Sequence, residues 1–316
     1  MTGLIQRMAA RASLGAMVVL LVVMGVCAAE LAQKSYPSPD DAAAALVAAS
    51  RSHDMAALRA ILGPGSEALI NSGDRYADEA ALRRFVDAYD AHHALVAQGM
   101  ERMVLEVGTD DWPLPIPIVH HEAGWSFDSH EGAQEIVDRR IGRNEIAAIR
   151  VSLAYVDAQK DYFDRQKQQT GTGEYARRIV STKGKHDGLY WPAVDGQEDS
   201  PLEPLVAQAK EEGYPGATKQ QKQVPYQGYF FRILFSQGAE APEGAKNYVQ
   251  KDRMTGGFAL IAWPANYASS GIMTFIVNQD GIVFQKDLGT ETSRLAANIK
   301  QFNSDPSWAR ITVTDQ

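Results

Sequence analysis

The sequence predicts an α+β protein: a helical N-terminal unit with antiparallel strands, then a long helix packed on an antiparallel sheet. Three observations carry this. Apolar residues recur at helical spacing in two blocks, one before residue 98 and one from about Glu131 to Phe163. Strand-like runs cluster at 101–129 and again through the last hundred residues, separated by short turns. Helices and strands thus come in separate blocks rather than alternating, which is the order of an α+β chain and not of a doubly wound sheet.

The start of the chain describes export. Arg7 and Arg11 precede an apolar run from Leu14 to Cys27, and small residues follow. A charged start, a short apolar core and a small-residue exit form a secretory signal peptide. The run is shorter than the about 20 residues of a comfortable membrane span. Val26 and Ala28 suit cleavage after Ala28. An uncleaved anchor helix and lipidation at Cys27 are the alternatives; Val26 stands where lipoprotein signals carry Gly, Ala or Ser. Cys27 is the sole cysteine. Cleavage removes it, and with it disulfides, thiolate zinc sites and cysteine nucleophiles. A secreted chain of this kind must stand on its hydrophobic cores.

The remaining length favours two domains. Residues 1–28 are read as the signal, 29–37 as a polar tether, 38–130 as the first domain and 131–316 as the second. The formal net charge of −8 argues against nucleic acid or an anionic lipid surface as the main partner. No later segment has the length and apolarity of a membrane helix, so no membrane insertion is expected after cleavage.

Each element has a local reason. Ser38 is a good N-cap, Pro39 suits a first turn, and Asp40 and Asp41 complement the helix dipole. "SHD" breaks that helix, and a second short one runs to Leu62. Residues 77–98 read as one long helix through Ala81, Leu82, Phe85, Val86 and Tyr89. "ERMVLEVG" is a strand. Pro113, Pro115 and Pro117 in "DDWPLPIPIVHHEAGWSFDS" place the next strand at a sheet edge. A long helix starts near Glu131, weakened at Gly142. Ile146, Ile149, Leu153, Val156 and Phe163 form its buried stripe. Ser200 is the expected cap of the helix in "SPLEPLVAQAKEEG". "GGFALIAWP" is apolar on both faces and so central. "SGIMTFIVNQDGIVFQKDLG" is the clearest hairpin, turning at Gln279, Asp280 and Gly281. A helix from about Glu291 to Phe302 and a strand, "ARITV", finish the chain.

"GRNEIAAI", "DGLYWP", "GYFFRIL", "GGFALIAWPA" and "MTFIVNQDGIVFQKDLG" together resemble a bacterial family known as domain of unknown function 2950, over essentially the whole mature chain. The resemblance implies an exported envelope protein and assigns no activity. The second half is also loosely similar to the globular part of type II pseudopilins, where one long helix packs on a small antiparallel sheet. The chain lacks the prepilin cleavage site and the phenylalanine-started membrane helix, so that likeness carries a fold and not filament assembly. The first domain's order is loosely similar to nuclear-transport-factor-like cone folds, an analogy of fold alone.

Candidate chemistry is sparse. His92–His93 and His120–His121 are adjacent pairs, whose side chains point apart rather than toward one metal. A site from His120, His130 and Asp128 would have to assemble through space. In "TGTGEY", Glu174 is the sole carboxylate, too few for calcium. Ser269-Ser270-Gly271 lies in the wrong context for a nucleophile elbow. Asp110 and Asp111 flank Trp112 as in some glycosidase sites, yet adjacent loop acids are usually just solvated. Arg139, Arg140 and Arg143 either grip an anion or, the favoured reading, pair with Asp138, Glu145 and acids of the first domain. "KHDGLYWPA", 185–193, gathers His186, Asp187, Tyr190 and Trp191 around Gly188. Three readings stand: a structural plug, a ligand or partner contact, and, least favoured, catalysis.

The expectation is therefore a periplasmic or secreted two-domain protein of the bacterial envelope, a non-enzymatic binding or interaction module without catalytic residues, metal or cofactor. Its expected contacts are His186, Asp187, Tyr190, Trp191, Arg139, Arg140 and Arg143, toward an envelope protein or small ligand. The alternatives are a hydrolase of an envelope polymer and a cation-binding protein.

Overall fold

A computed structural model describes residues 33–193, 196, 198–215 and 224–312. The expected signal peptide, its cleavage point and Cys27 lie outside these residues. Residues 31–316 cluster as one compact unit, and the buried apolar side chains within it form two cores.

The first core is built as follows. Helix α1 (Pro39–Arg51) begins where the Ser38 hydroxyl accepts from the Asp41 N–H. Helix α2 (Met55–Leu62) is capped by Asp54, and α3 (Glu67–Ile70) is a single turn. Helix α4 (Arg75–Ala91) is capped by Asp74. It ends seven residues short of the expected 98, because 93–97 leave it to become strand β1 (His93–Ala97), paired antiparallel with β2 (Arg102–Val107). Pairing with β2 along all five residues tucks Leu95 against the core, so tertiary pairing overrides local helix preference.

Strands β3 (Trp112–Pro113), β4 (Ile118–His121) and β5 (Gly124–Phe127) complete this sheet, in the order β1-β2-β4-β5 with β3 also on β2. The proline-rich strand is only partly where the sequence placed it. β3, with Pro113, has one neighbour, but β4 lies between β2 and β5; Pro115 and Pro117 fall outside the strands, where no ladder donor is needed. The described part of the expected tether is bound. Tyr36 exchanges backbone hydrogen bonds with Trp125, 2.8 Å each way, and the Gln33 amide donates to Phe127, Ile61 and Leu62 carbonyls. Gly124 permits this approach: its φ is 113°, and a Cβ there would lie 2.5 Å from the Tyr36 carbonyl oxygen.

The second core is organised by helix α5 (Ala133–Thr170), which runs unbroken through Gly142. Its buried line is only partly the expected one. Val156 is buried, but Ile146 is 52% exposed, and Ile149, Leu153 and Phe163 are only half-buried. The buried residues are Val137, Ile141, Asn144, Ala148, Ser152, Tyr155, Val156, Ala158, Gln159 and Tyr162. Small and polar residues stand among them because the helix lies close to its neighbours and hydrogen-bonds them. Asn144 Nδ2 donates to the Ser270 carbonyl at 2.9 Å, and the Gln159 amide pairs both backbone groups of Ala176 at 2.8 Å. Counting apolar spacing alone skips such residues.

Helix α6 (Glu203–Glu211) starts at Leu202 without a side-chain cap. Ser200 is not that cap: its carbonyl, not its hydroxyl, accepts the Glu203 N–H. Strand β6 (Tyr229–Leu234) follows. Two small ribbons come next: β7 (Ser236–Gln237) with β8 (Lys246–Asn247), and β9 (Val249–Gln250) with β10 (Arg253–Met254). Strands β11 (Ala259–Pro264), β12 (Met273–Asn278) and β13 (Val283–Asp287) precede a 3₁₀ turn, helix α7 (Thr292–Asn298) and β14 (Ala309–Arg310). The sheet order is β14-β13-β12-β11-β6, antiparallel throughout. β11 is buried at every residue, central as expected, with α5 and α7 both against it. The β12–β13 turn is held by Asn278, whose carbonyl accepts the Gly281 N–H. α7 stops four residues before Phe302. From Ile299 the chain turns extended, so that Phe302 is fully buried and bonds Ser236 and Gly238.

Two polar clamps join the cores. Asp74 is fully buried and accepts from Tyr214 Oη (2.7 Å), Gly228 N (2.8 Å), Tyr76 N and Ala77 N. Arg140 donates to the Ala68, Leu69 and Ser269 carbonyls.

Candidate functional site

The stretch from Lys185 to Ala193 is a brace. The Asp187 carboxylate accepts from Thr182 N (2.6 Å) and Thr182 Oγ1 (2.8 Å) and lies 3.2 Å from Arg178. Burial opposes its ionisation, but the Thr182 donors and the Arg178 charge hold the carboxyl below the usual range. The His186 ring stacks on Trp191, centroids 4.2 Å apart. Leu189, Tyr190 and Trp191 are 0, 4 and 7% exposed and sit in the second core. Trp191 Nε1 donates to the Glu198 carbonyl, and Lys210 Nζ donates to Tyr190 Oη at 3.0 Å. Gly188 is required: a Cβ would lie 2.8 Å from Ser181 N and 2.9 Å from the Val180 carbonyl carbon, both backbone. Leu189, Tyr190 and Trp191 are thus spent inside the protein, while Lys185 and His186 stay exposed.

The three arginines diverge. Arg139 pairs with Glu135 and lies over Trp112, 5.6 Å from the ring centroid. Arg140 clamps backbone carbonyls. Arg143 has no hydrogen bond or ion pair among the described residues. The expected partners are occupied elsewhere: Asp138 accepts from Gln134, and Glu145 from the Ile272 and Met273 N–H groups.

The remaining candidates do not converge. His92 and Asp111 approach to 3.4 Å, with both side chains more than half exposed. His120 packs on Trp125, and Glu174 pairs with Arg253 at 2.7 Å. Among the described residues no three His, Cys, Asp or Glu side chains gather as a metal site would require.

A groove of about 610 Å³ lies elsewhere, between β12, β13, α7 and residues 299–308. Ile276, Leu288, Leu295 and Ile299 supply an apolar lining and Trp308 an aromatic one. Lys286 donates to Ser307 Oγ at 2.7 Å and reaches over Trp308, 5.8 Å from its centroid. Asp305 accepts from the Ser307 hydroxyl and N–H, and with nearby Lys286 these bonds hold its carboxyl below the usual range. Asp287 accepts from Gly289 N (2.7 Å) and Tyr267 Oη (3.3 Å). Asn298 donates to the Arg294 carbonyl and keeps its own carbonyl oxygen open. With Lys300, the lining carries two lysines against two aspartates, so the groove is close to neutral. An aromatic plate ringed by amides, carboxylates and ammonium groups is a lining whose chemistry suits a polar, uncharged ligand with one apolar face.

Sequence reasoning missed this groove. "MTFIVNQDGIVFQKDLG" and the first two residues of "ARITV" were legible as strands, but the groove exists because α7 ends early and the 299–308 chain folds back. No local pattern marks that.

The fold and sites define an α+β protein with two cores, a long helix on an antiparallel sheet, and a neutral aromatic groove beside that sheet. Residues 33–311 match the family described as Protein of unknown function (DUF2950), and the chain belongs to that family. No curated protein and no solved structure matches it; the likeness to pseudopilins therefore goes no further than a long helix on an antiparallel sheet.

Proposed function

We propose that this is an exported protein of the bacterial envelope that binds its ligand without transforming it, and that the groove beside Trp308 takes a sugar-like segment. The carrying observation is the groove's make-up: one aromatic plate, an apolar lining and a balanced set of planar and charged hydrogen-bonding groups. Export rests on the N-terminal pattern, and a net charge of −8 fits a soluble partner that is not nucleic acid. The aromatic stretch 185–193, buried at residues 188–191, serves as scaffold in this reading.

The test uses the mature chain and soluble N-acetylglucosamine oligomers, followed by tryptophan fluorescence. Saturable binding is expected in the wild type, with at least a tenfold loss in Trp308→Ala. Binding that Trp308→Ala leaves unchanged would refute the groove assignment. Release of shorter oligomers, abolished by Asp287→Asn or Asp305→Asn, would favour the hydrolase reading instead. Fractionation of cells expressing the full chain, with N-terminal sequencing, tests export; a mature start at Ala29 is expected.

A further inference from the structure

We propose that the open edge of strand β1 pairs with the same edge of a second copy of this chain, joining two first-domain sheets into one antiparallel sheet about a two-fold axis at Leu95. The phase of the β1–β2 ladder sets which backbone groups are free. The Gly108 N–H donates to the His92 carbonyl at one end, and the Gln98 N–H to the Arg102 carbonyl at the other, 2.9 Å each. Between them the register runs without a bulge, from His93 opposite Val107 to Ala97 opposite Met103. Bonding alternates along such a ladder, so Ala94 and Val96 bond β2. The N–H and carbonyl groups of His93, Leu95 and Ala97 point the other way. Among the described residues none of these groups has a hydrogen-bond partner.

Elsewhere this sheet closes or shortens its edges. Tyr36 bonds Trp125 in both directions along β5, and β3 spans only two residues. β1 has none of the usual guards: its five residues, "HALVA", include no proline, no lysine and no acid. The same five residues say which strand fits. In an antiparallel pair centred on Leu95, His93 faces Ala97 of the second copy, Ala94 faces Val96, and Leu95 meets itself. Each larger side chain outside the centre thus lies opposite an alanine. One residue further out His92 faces Gln98, so no acid and no fixed cation meets its like. His93, Leu95 and Ala97 each exchange both backbone bonds with the residue opposite. Val96, β-branched and 38% exposed, gains a neighbour across the new ladder. A foreign strand would need pockets for its alternate side chains, whereas a copy brings the matching sizes with it.

The test follows sedimentation of the full mature chain from micromolar to near-millimolar concentration, with backbone hydrogen exchange read at both ends. A monomer–dimer equilibrium is expected. Exchange at His93, Leu95 and Ala97 should slow about tenfold or more as dimer forms. Ala97→Pro removes one outward N–H without breaking a bond to β2, and Val96→Lys places a guarding lysine on the edge. Both variants should remain monomeric throughout. At the dilute end Val96→Lys should melt level with the wild type, which separates lost pairing from a lost fold. A wild type that stays monomeric would overturn the proposal, and so would a dimer that both variants preserve. Slow exchange of the three amides already in the dilute monomer would show the edge closed by the molecule's own chain, and would overturn it as well. If the wild type stays monomeric and those amides slow only when envelope extract is added, the edge belongs to a foreign strand and the second copy is refuted.

Discussion

Replacing Asp74 with Ala should cost about 3 kcal/mol of stability, although the residue lies far from the groove. Its carboxylate is the N-cap of α4, and losing a cap costs about 1 kcal/mol. It also accepts from Tyr214 Oη and Gly228 N, both buried and both left without this acceptor in the variant. A stranded buried donor costs about 1–3 kcal/mol. Part is returned, because burying the carboxylate is itself unfavourable: desolvation pushes its pKa up, against the pull of the Gly228, Tyr214, Ala77 and Tyr76 donors. The pH dependence has a definite sign. A carboxyl raised in the folded state contributes most below its unfolded value, about 3.9, and that contribution is lost as pH rises through the folded value. The advantage of wild type over Asp74→Asn should therefore shrink as pH rises across that window. Urea unfolding of wild type, Asp74→Ala and Asp74→Asn between pH 4 and 8 measures both effects. A loss under about 1 kcal/mol in Asp74→Ala, or an advantage over Asp74→Asn that grows with pH, would refute the reasoning.

Four further outcomes follow from single sites. The Thr274 hydroxyl is buried without a hydrogen-bond partner, so Thr274→Val should stabilise by about 1 kcal/mol in thermal or urea unfolding; destabilisation would show that the hydroxyl is satisfied. Gly188→Ala drives a methyl group into the Ser181 and Val180 backbone and should cost about 1–3 kcal/mol by urea unfolding; a neutral effect would mean the brace is loose. Ile146→Lys should change stability by no more than about 0.5 kcal/mol, since the side chain is exposed, whereas Val156→Ala, in the buried part of the expected stripe, should cost about 1–3; equal losses in a melt would show Ile146 to be buried as well. Tyr214→Phe removes the donor to Asp74 and the acceptor of Gln227 N, and should cost about 1–2 kcal/mol in the same urea assay.

How legible the molecule was depends on the range of the force that decided each part. Ser38, Asp54 and the Gln279–Gly281 turn act within a few residues, and their elements stand where the sequence put them. "GGFALIAWP" announced a central strand through its two-sided apolarity, and β11 is one. Residues 93–97 were misread because their fate turns on β2, and α7 was drawn too long because Phe302 is claimed by a distant strand. The site was harder still. His186, Asp187, Tyr190 and Trp191 have residue types that fit a binding loop, but burial decides whether a face is available, and burial is a property of everything packed around it.

The sequence alone thus determined the α+β class, the Ser38-capped first helix and the hairpin, which follow from periodicity, turn chemistry and local side-chain bonds, and the family, which its motifs carry. Only the tertiary structure decided which residues of α5 are buried, where Asp74 and Arg140 clamp the cores, that Leu189, Tyr190 and Trp191 are buried in the second core, and that an aromatic groove opens at Trp308. Those outcomes depend on contacts between segments tens to more than a hundred residues apart, whose pairing is chosen by the burial and hydrogen-bond satisfaction of the whole chain.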